Sequence, residues 1–337
     1  MAERSPSVPS PARARVGRER TGAGSSPADA DTPTRIPVAG WRRVFRRVAS
    51  HVFSDRLMVQ SAGVAFFAVL SIAPVLVTAI SVYGAVNTPA QALRQLSGVV
   101  AMLPRELQPL MTEQLTTITT ASTQVLTWRG LTGLVLALST ATTAATYLVG
   151  GLTLAYHETE TRSFLRRTGL ALGIVLGGAL LLGAVLTAAG AASRWLAGAP
   201  ELARTVAPVV TWAALALLMS GVLAVLYRFA PDRTEARWRW ITGGSTLATV
   251  LWLVTTIALF AYVERLGSYE STYGSLAGVA ISMFWLWTTV FLVILGAAVN
   301  AEVERQTVRD STVGPEQPPG RRGAVVADSV PPYPGED

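Results

Sequence analysis

Cysteine is absent from this 337-residue chain, and so is lysine; histidine occurs only twice, as His51 and His157. Without cysteine there is no disulfide, no thiolate metal site and no thiol nucleophile. Without lysine there is no P-loop, whatever the glycine-rich spots at Gly150–Gly151, Gly177–Gly178 and Gly243–Gly244 look like. Neither G-x-S-x-G nor H-E-x-x-H occurs, which removes the common serine-hydrolase and zinc-protease patterns. Charge is scarce as well: 15% of residues are Asp, Glu or Arg, against about 25% in an average soluble protein.

In place of charge there is hydrocarbon. Half the residues are hydrophobic, and the mean hydropathy is +0.41. Six segments carry no charge over a span's length: 61–83, 130–156, 168–193, 206–227, 241–263 and 271–301. About 20 apolar residues in a helix cross a bilayer core, and backbone groups in lipid must pair within their own segment, so these spans are predicted helices. The last run is too long for a perpendicular crossing; a span over about 274–300 is expected within it. The fold expected is an all-α polytopic membrane protein with six transmembrane helices. Residues 39–305 form the membrane domain. Residues 1–38 and 306–337, rich in Ser, Pro, Ala and Arg or in Pro and Gly, read as disordered tails.

The sequence is basic, with net charge +7. Arginines favour one side of the six spans: 42, 43, 46, 47, 56, 162, 166, 167, 228, 233, 237, 239, 305 and 309, against 94, 105, 129, 194, 204 and 265. The richer side is expected in the cytoplasm, so both termini lie inside. The partners implied by this charge are membrane lipids, not nucleic acid. Trp41–Phe53 (WRRVFRRVASHVF) places Trp41, Phe45, Val48 and Val52 at helical spacing opposite Arg42, Arg43, Arg46 and Arg47. This suits a helix on the anionic inner leaflet, and equally a basic face packed on the bundle. Between spans one and two, apolar residues at helical intervals on both sides of Pro104 predict external amphipathic helices over about 88–126.

Chemistry-bearing residues are few. HETETR, His157–Arg162, could be a metal site, an acid–base pair or a charged turn between spans two and three. A metal site needs more than one His and converging carboxylates, and Glu158 and Glu160 alternate; the charged turn, its carboxylates paired to arginines, is the favoured reading. No cofactor motif is present. Gly169, Gly173 and Gly177 form a G-x-x-x-G repeat, and Gly274 and Gly278 another, the spacing of close helix packing. In span two Ser139, Thr143, Thr146, Gly150 and Thr153 share one helical face, with Thr142 beside them. That stripe is either a packing seam, each hydroxyl bonded to its own helix, or the lining of a hydrated or headgroup-sized cavity.

Two stretches resemble the YihY/BrkB family of bacterial inner-membrane proteins. The likeness lies in Ser71 and Pro74 of SAGVAFFAVLSIAPVL, in Tyr227, Arg228 and Pro231, in Tyr273, Gly274 and Ser275, and in Trp285, Gly296, Asn300 and Glu302. The resemblance implies six spans in a bacterial inner membrane. Some members once carried the label ribonuclease BN; no His or carboxylate cluster in this sequence supports a nuclease, and the chain is not expected to be an enzyme. Two departures stand out. Phe67 sits where members commonly have Tyr, and Ala298 where they commonly have Glu, so a proton-coupled mechanism loses its most obvious carrier. The function expected is transport or lipid handling across the envelope, the alternative an envelope scaffold, and a ribonuclease comes last.

Overall fold

The structure, a computed structural model, describes residues 32–33, 36, 38–53, 55–86, 123–265 and 275–329. Eight helices occur among them: α1 Val38–Val52, α2 Asp55–Val86, α3 Thr123–Ala155, α4 Phe164–Ala197, α5 Glu201–Phe229, α6 Trp238–Arg265, α7 Ser275–Glu304 and the short α8 Val325–Asp328. Six of these, α2 to α7, are long and apolar enough to cross a membrane. There is no strand among the described residues, only one isolated bridge between Ala236 and Thr312. The external helices expected over 88–126 lie outside the described residues, except that 123–126 form the first turn of α3. The tail expected over 1–38 likewise falls almost wholly outside them, although Ile36 is described and buried.

Helix ends follow local chemistry. Pro200 fixes the residue before α5, and Glu201 opens the helix with a carboxylate against its positive dipole end. At the end of α3 the Glu158 amide donates to the Thr153 carbonyl and the His157 amide to that of Leu154. This is a Schellman closure, and it puts His157 at φ +59°, a left-handed conformation usually given to glycine.

The six spans are packed unevenly. α7 is the hub: α1, α2, α3, α6 and α8 all rest on it, and α2 lies along α3. The buried cluster gathers where these helices meet, with Leu57, Leu152, Tyr156, Tyr227, Trp240, Ile241 and Ile294 all at most 2% exposed. By contrast α4 packs mainly on α3 and α5 mainly on α6, with Tyr227 near the end of α5 also reaching α7. Beyond Gly177 nearly every α4 side chain is exposed, as is most of α5 before Met219. The two are joined at their far ends by the turn 198–200. Together they form a hairpin that touches the remaining spans near one end only and leaves a wedge between itself and the bundle.

Two expectations change here. The G-x-x-x-G repeat of α4 packs against nothing: a methyl added at Gly169, Gly173 or Gly177 meets no atom within 4 Å. The close approach lies elsewhere, where α6 crosses α7 at Gly244 and Gly296. A methyl on either glycine would strike the other's carbonyl oxygen, and one on Gly296 would also strike the Tyr227 hydroxyl. Gly278 is buried, and Gly274 lies outside the described residues.

The second change concerns the C-terminal segment. Residues 306–329 are not a disordered tail but a packed cap. Gln306, Thr307, Asp310, Ser311, Thr312, Arg322 and Val326 are all at most 5% exposed. Its order comes from polar pairing. The Arg322 guanidinium donates to the carbonyls of Val308, Arg309, Gln317 and Ala327. Asp310 accepts from the amides of Thr312 and Gln317. The backbone pairs with the loop after α5, Arg237 donating to Ser311, Val313 to Glu235 and Thr234 to Gly323. A reading that counts apolar residues misses order made of hydrogen bonds.

Candidate functional site at the basic end

α1, the turn 156–163, the loop 230–237 and the segment 305–329 all collect at one end of the bundle, where the arginines concentrate. The last turns of α7 organise it. Asn300, 2% exposed, inserts its side chain into the first turns of α6: its Oδ1 accepts from the Gly244 amide at 2.7 Å and its Nδ2 donates to the Ile241 carbonyl at 2.9 Å. Tyr227 of α5 donates to the Val293 carbonyl at 2.7 Å. The residues of the family resemblance therefore converge: Tyr227, Gly296 and Asn300 build the α5–α6–α7 crossing.

Glu302, two residues before the end of α7, is 1% exposed and accepts from Arg47, His157 and Arg305. Arg47 of α1 reaches it at 2.5 Å, His157 of the turn at 2.8 Å and Arg305 at 3.1 Å. The helix expected on the leaflet is thus pinned to the bundle by its own Arg47, while Val44, Val48 and Val52 bury beneath it. Both alternatives for α1 survive, since Arg42, Phe45 and Arg46 remain exposed.

The second histidine, 106 positions away in sequence, arrives at the same place. His51 stacks on His157 with ring centroids 4.2 Å apart. Its Nε2 is buried without a hydrogen-bond partner. Burial, and then the neighbouring His157, lowers the His51 pKa below its ordinary value. Among the described residues no three His, Asp or Glu side chains are grouped to hold a metal ion.

The rest of HETETR is equally engaged. Glu158 accepts from the Val325 amide at 2.6 Å, and burial raises its pKa against that bond. Glu160 pairs with Arg162 at 2.7 Å, and Arg162 also donates to the Ala230 carbonyl at 2.8 Å. Thr161 donates to Asp232 through both its amide and its hydroxyl. Burial opposes the ionised form of Asp232, but the bonds from Thr161 and the charge of Arg162 outweigh it and hold the pKa low. So the turn is charged and paired as expected, but it is a joint rather than a wet loop. Beneath it lies a buried ion pair, Arg233–Glu304, with both side chains at most 2% exposed. Two bonds of 2.9 and 2.6 Å join them, Ser311 donates to the same carboxylate, and the Tyr156 ring faces Arg233 at 5.0 Å.

The remaining sequence-singled residues scatter. Ser71 bonds only the Ala68 carbonyl of its own helix, and Pro74 lies inside α2. Arg228 pairs with Glu235 and lies over the Trp238 ring at 4.6 Å; Pro231 is buried in the following loop. Trp285 donates to Thr256 at 3.2 Å, and Trp252 to Thr289 at 3.1 Å. Tyr273 and Gly274 lie outside the described residues, and Ser275 begins α7. Phe67 stacks on Tyr147 at 5.2 Å, and Ala298 is fully buried. In the α3 stripe, Ser139 bonds the Leu136 carbonyl, Thr143 that of Ser139, Thr146 that of Thr142 and Thr153 that of Val149. Only Thr153 is buried; Thr142, Thr143 and Thr146 are half-buried and Ser139 is exposed.

Two polar residues that sequence reasoning passed over meet this stripe. Gln60 of α2 donates to the Tyr147 carbonyl at 2.7 Å, and Arg167 of α4 to the Thr146 carbonyl at 3.1 Å. Gln60 stood just outside the first uncharged run, and Arg167 had counted only as a topology charge. The signal was present in the helical register that sets Arg167 one turn inside α4.

The family model for virulence factor BrkB matches residues 48–321. A UPF0761 membrane protein of Delftia acidovorans is 26% identical over 275 residues, 79% of this chain and 63% of that one. The ribonuclease-like protein YfkH of Bacillus subtilis is 29% identical over 180 residues, 52% of this chain and 65% of its own. A UPF0761 membrane protein of Tolumonas auensis is 38% identical over 85 residues, 25% of this chain and 28% of its own. The chain thus spans less than two thirds of the length of these relatives. No solved structure matches it. With the family match covering all six spans and the first part of the cap, this chain belongs to the BrkB virulence-factor family of membrane proteins.

Proposed function

We propose that this protein moves or handles lipid-like molecules across the bacterial inner membrane, with both termini in the cytoplasm. The observation that carries the reading is the α4–α5 hairpin. A span packed for structure alone buries one face on its neighbours; these two are packed at the basic end and open elsewhere. The far halves of these helices are apolar and open, with Leu180, Val209 and Leu217 at least 70% exposed, and the neighbouring α3 carries the hydroxyl stripe. Apolar walls with a polar strip suit an amphipathic cargo, which keeps its tails in hydrocarbon and its headgroup on hydroxyls.

The absence of cysteine makes the test clean. Paired cysteines tying the far half of α4 to α3 should close the wedge. In proteoliposomes, redistribution of a headgroup-labelled phospholipid between leaflets should fall on oxidation and recover on reduction. Redistribution no faster than in protein-free vesicles would remove the reading. Orientation is tested separately: an impermeant thiol reagent outside intact cells should label Glu201→Cys and leave Thr159→Cys untouched.

A further inference from the structure

The chain has two histidines, and the fold stacks one on the other. His51, in the last turn of α1, and His157, in the turn after α3, have ring centroids 4.2 Å apart and planes inclined by 27°. His157 uses its Nε2 to bond Glu302 at 2.8 Å. The Nε2 of His51 is buried without a hydrogen-bond partner. In a neutral imidazole that nitrogen can be the one that carries no hydrogen. A proton arriving there makes it a buried, charged donor with nothing to accept from it. The surroundings add to the penalty. Among the described residues, the charged and titratable groups acting on His51 are His157, from the turn after α3, and Glu302 and Arg305, from the end of α7. Glu302 and the Leu154 carbonyl favour the proton; burial, His157 and Arg305 oppose it. The Glu302 carboxylate is already shared by Arg305, His157 and, from α1 itself, Arg47.

The two rings are not held equally. His157 belongs to a turn fixed from several directions: Glu158 accepts from the Val325 amide, Thr161 donates to Asp232, and Arg162 donates to the Ala230 carbonyl. The last turn of α1 is held more lightly. Ala49 and Ser50 are exposed, Val52 is its one buried side chain, and the chain leaves it through the exposed Phe53. The deeper packing of Val44 and Val48, and the bond from Arg47 to Glu302, lie in the turns before it. We propose that the His51–His157 stack is an acid-operated latch: protonation of His51 frees the last turn of α1 from the turn after α3, and the helix pivots on its Arg47–Glu302 anchor. Opening lets the charged ring reach water, where it no longer lacks an acceptor. The latch makes the cover over the end of α7 respond to acid load. On the orientation proposed above the pH it reads is that of the cytoplasm, but the latch depends neither on that orientation nor on the lipid-handling reading.

Because the full chain has no cysteine, two nitroxide labels report one distance. Labels at Ser50→Cys and Thr159→Cys span the latch; labels at Thr159→Cys and Arg239→Cys serve as a reference across the same end, and all three positions are exposed. Distances are read by pulsed electron paramagnetic resonance on the purified chain in detergent, from about pH 7.5 to about pH 5, to either side of the ordinary histidine value. The latch pair should show one short distance at the high end and a growing, longer population toward the low end. With one proton taken up on opening, the open-to-closed ratio should rise by up to about tenfold per pH unit below the ordinary value of 6.5. The reference distance should not move. His51→Gln, which takes up no proton, should stay closed throughout, and His51→Arg, which carries a permanent charge, should stay open. Should His51→Gln not fold, His51→Phe repeats the test with a flat, uncharged ring. A wild-type distance independent of pH overturns the latch, as does a His51→Arg variant that stays closed. An undiminished response in His51→Gln or His51→Phe overturns it in favour of other acid-sensitive groups, such as Glu158 or Glu302. An equal shift in the reference pair overturns it as a loosening of the whole basic end.

Discussion

Changing Glu304 to Gln keeps the shape of the side chain and removes one charge, from a place where charge is hard to lose. Arg233, 2% exposed, would then face a neutral amide whose NH2 points donors at donors. Three contacts suffer together: the two bonds from Arg233 at 2.9 and 2.6 Å and the one from Ser311 at 2.5 Å. Removing one partner of a buried pair typically costs about 3–5 kcal/mol, because the survivor stays buried and uncompensated. Here the Tyr156 ring, 5.0 Å from the guanidinium, offsets a part, on the order of 1 kcal/mol. An expected cost of about 2–4 kcal/mol follows.

The loss should be local before it is global, since the pair joins the loop after α5 to the end of α7 and, through Ser311, to the cap. Two assays separate these levels. Unfolding in mixed micelles reads the bundle, while brief trypsin digestion reads the cap, which holds Arg309, Arg321 and Arg322. Glu304→Gln should expose the cap to cleavage under conditions where wild type resists. Replacing both partners, as Arg233→Met with Glu304→Met, should cost less than the sum of the singles, because no orphan charge remains. A Glu304→Gln variant with wild-type protease resistance and less than about 1 kcal/mol of lost stability would falsify the claim that this pair holds the cap.

Glycine substitutions should divide by helix crossing and not by motif. Gly244→Ala and Gly296→Ala should each cost about 1–3 kcal/mol in micellar unfolding, from overpacking against backbone; Gly173→Ala, with nothing within 4 Å, should be neutral or gain up to about 1 kcal/mol of helix propensity. The His51 pKa is lowered from its ordinary 6.5, so between that value and its folded-state pKa the unfolded chain binds more protons. Stability should therefore fall as pH drops below about 6.5, and His51→Phe should flatten that slope in thermal melts taken across pH 5–7. Glu302, Arg305 and His157 act on the same ring and stay in place in this variant. Thr146→Val should change stability by less than about 1 kcal/mol, since its hydroxyl bonds its own helix, and cysteines at 139 and 143 should react with small water-soluble thiol reagents if the stripe lines the wedge; resistance from both sides would leave only a packing seam.

What the sequence made legible was what depends on one dimension. Six uncharged runs of span length become six helices because lipid leaves the backbone no other partner, and the ends differ mainly by the polar turns each helix adds outside the hydrocarbon. Most of Trp41–Phe53 lies in α1, as its helical spacing predicts, although Val44 is buried beside Val48 and Val52 while Phe45 is exposed. The resemblance in Tyr227, Gly296 and Asn300 found the crossing, although spacing alone had pointed to the glycines of α4. G-x-x-x-G says only that a face is small; whether a second helix lies against it depends on where the chain returns, and α4 returns through α5 away from the bundle.

What stayed hidden was pairing across sequence distance. His51 and His157, Arg47 and Glu302, and Arg233 and Glu304 meet because α7 is the hub on which α1, α3 and the loop after α5 all end. No local pattern contains the partner. The rule that flags charge inside a span also had nothing to act on, because these charges stand one turn beyond the uncharged runs. There a side chain can be buried by protein rather than by lipid, and a buried charge with a partner no longer resembles a topology signal. The same reasoning covers Arg167. It stands in the first turn of α4, where it donates to the Thr146 carbonyl of α3 and pairs with Glu160 across 4.0 Å.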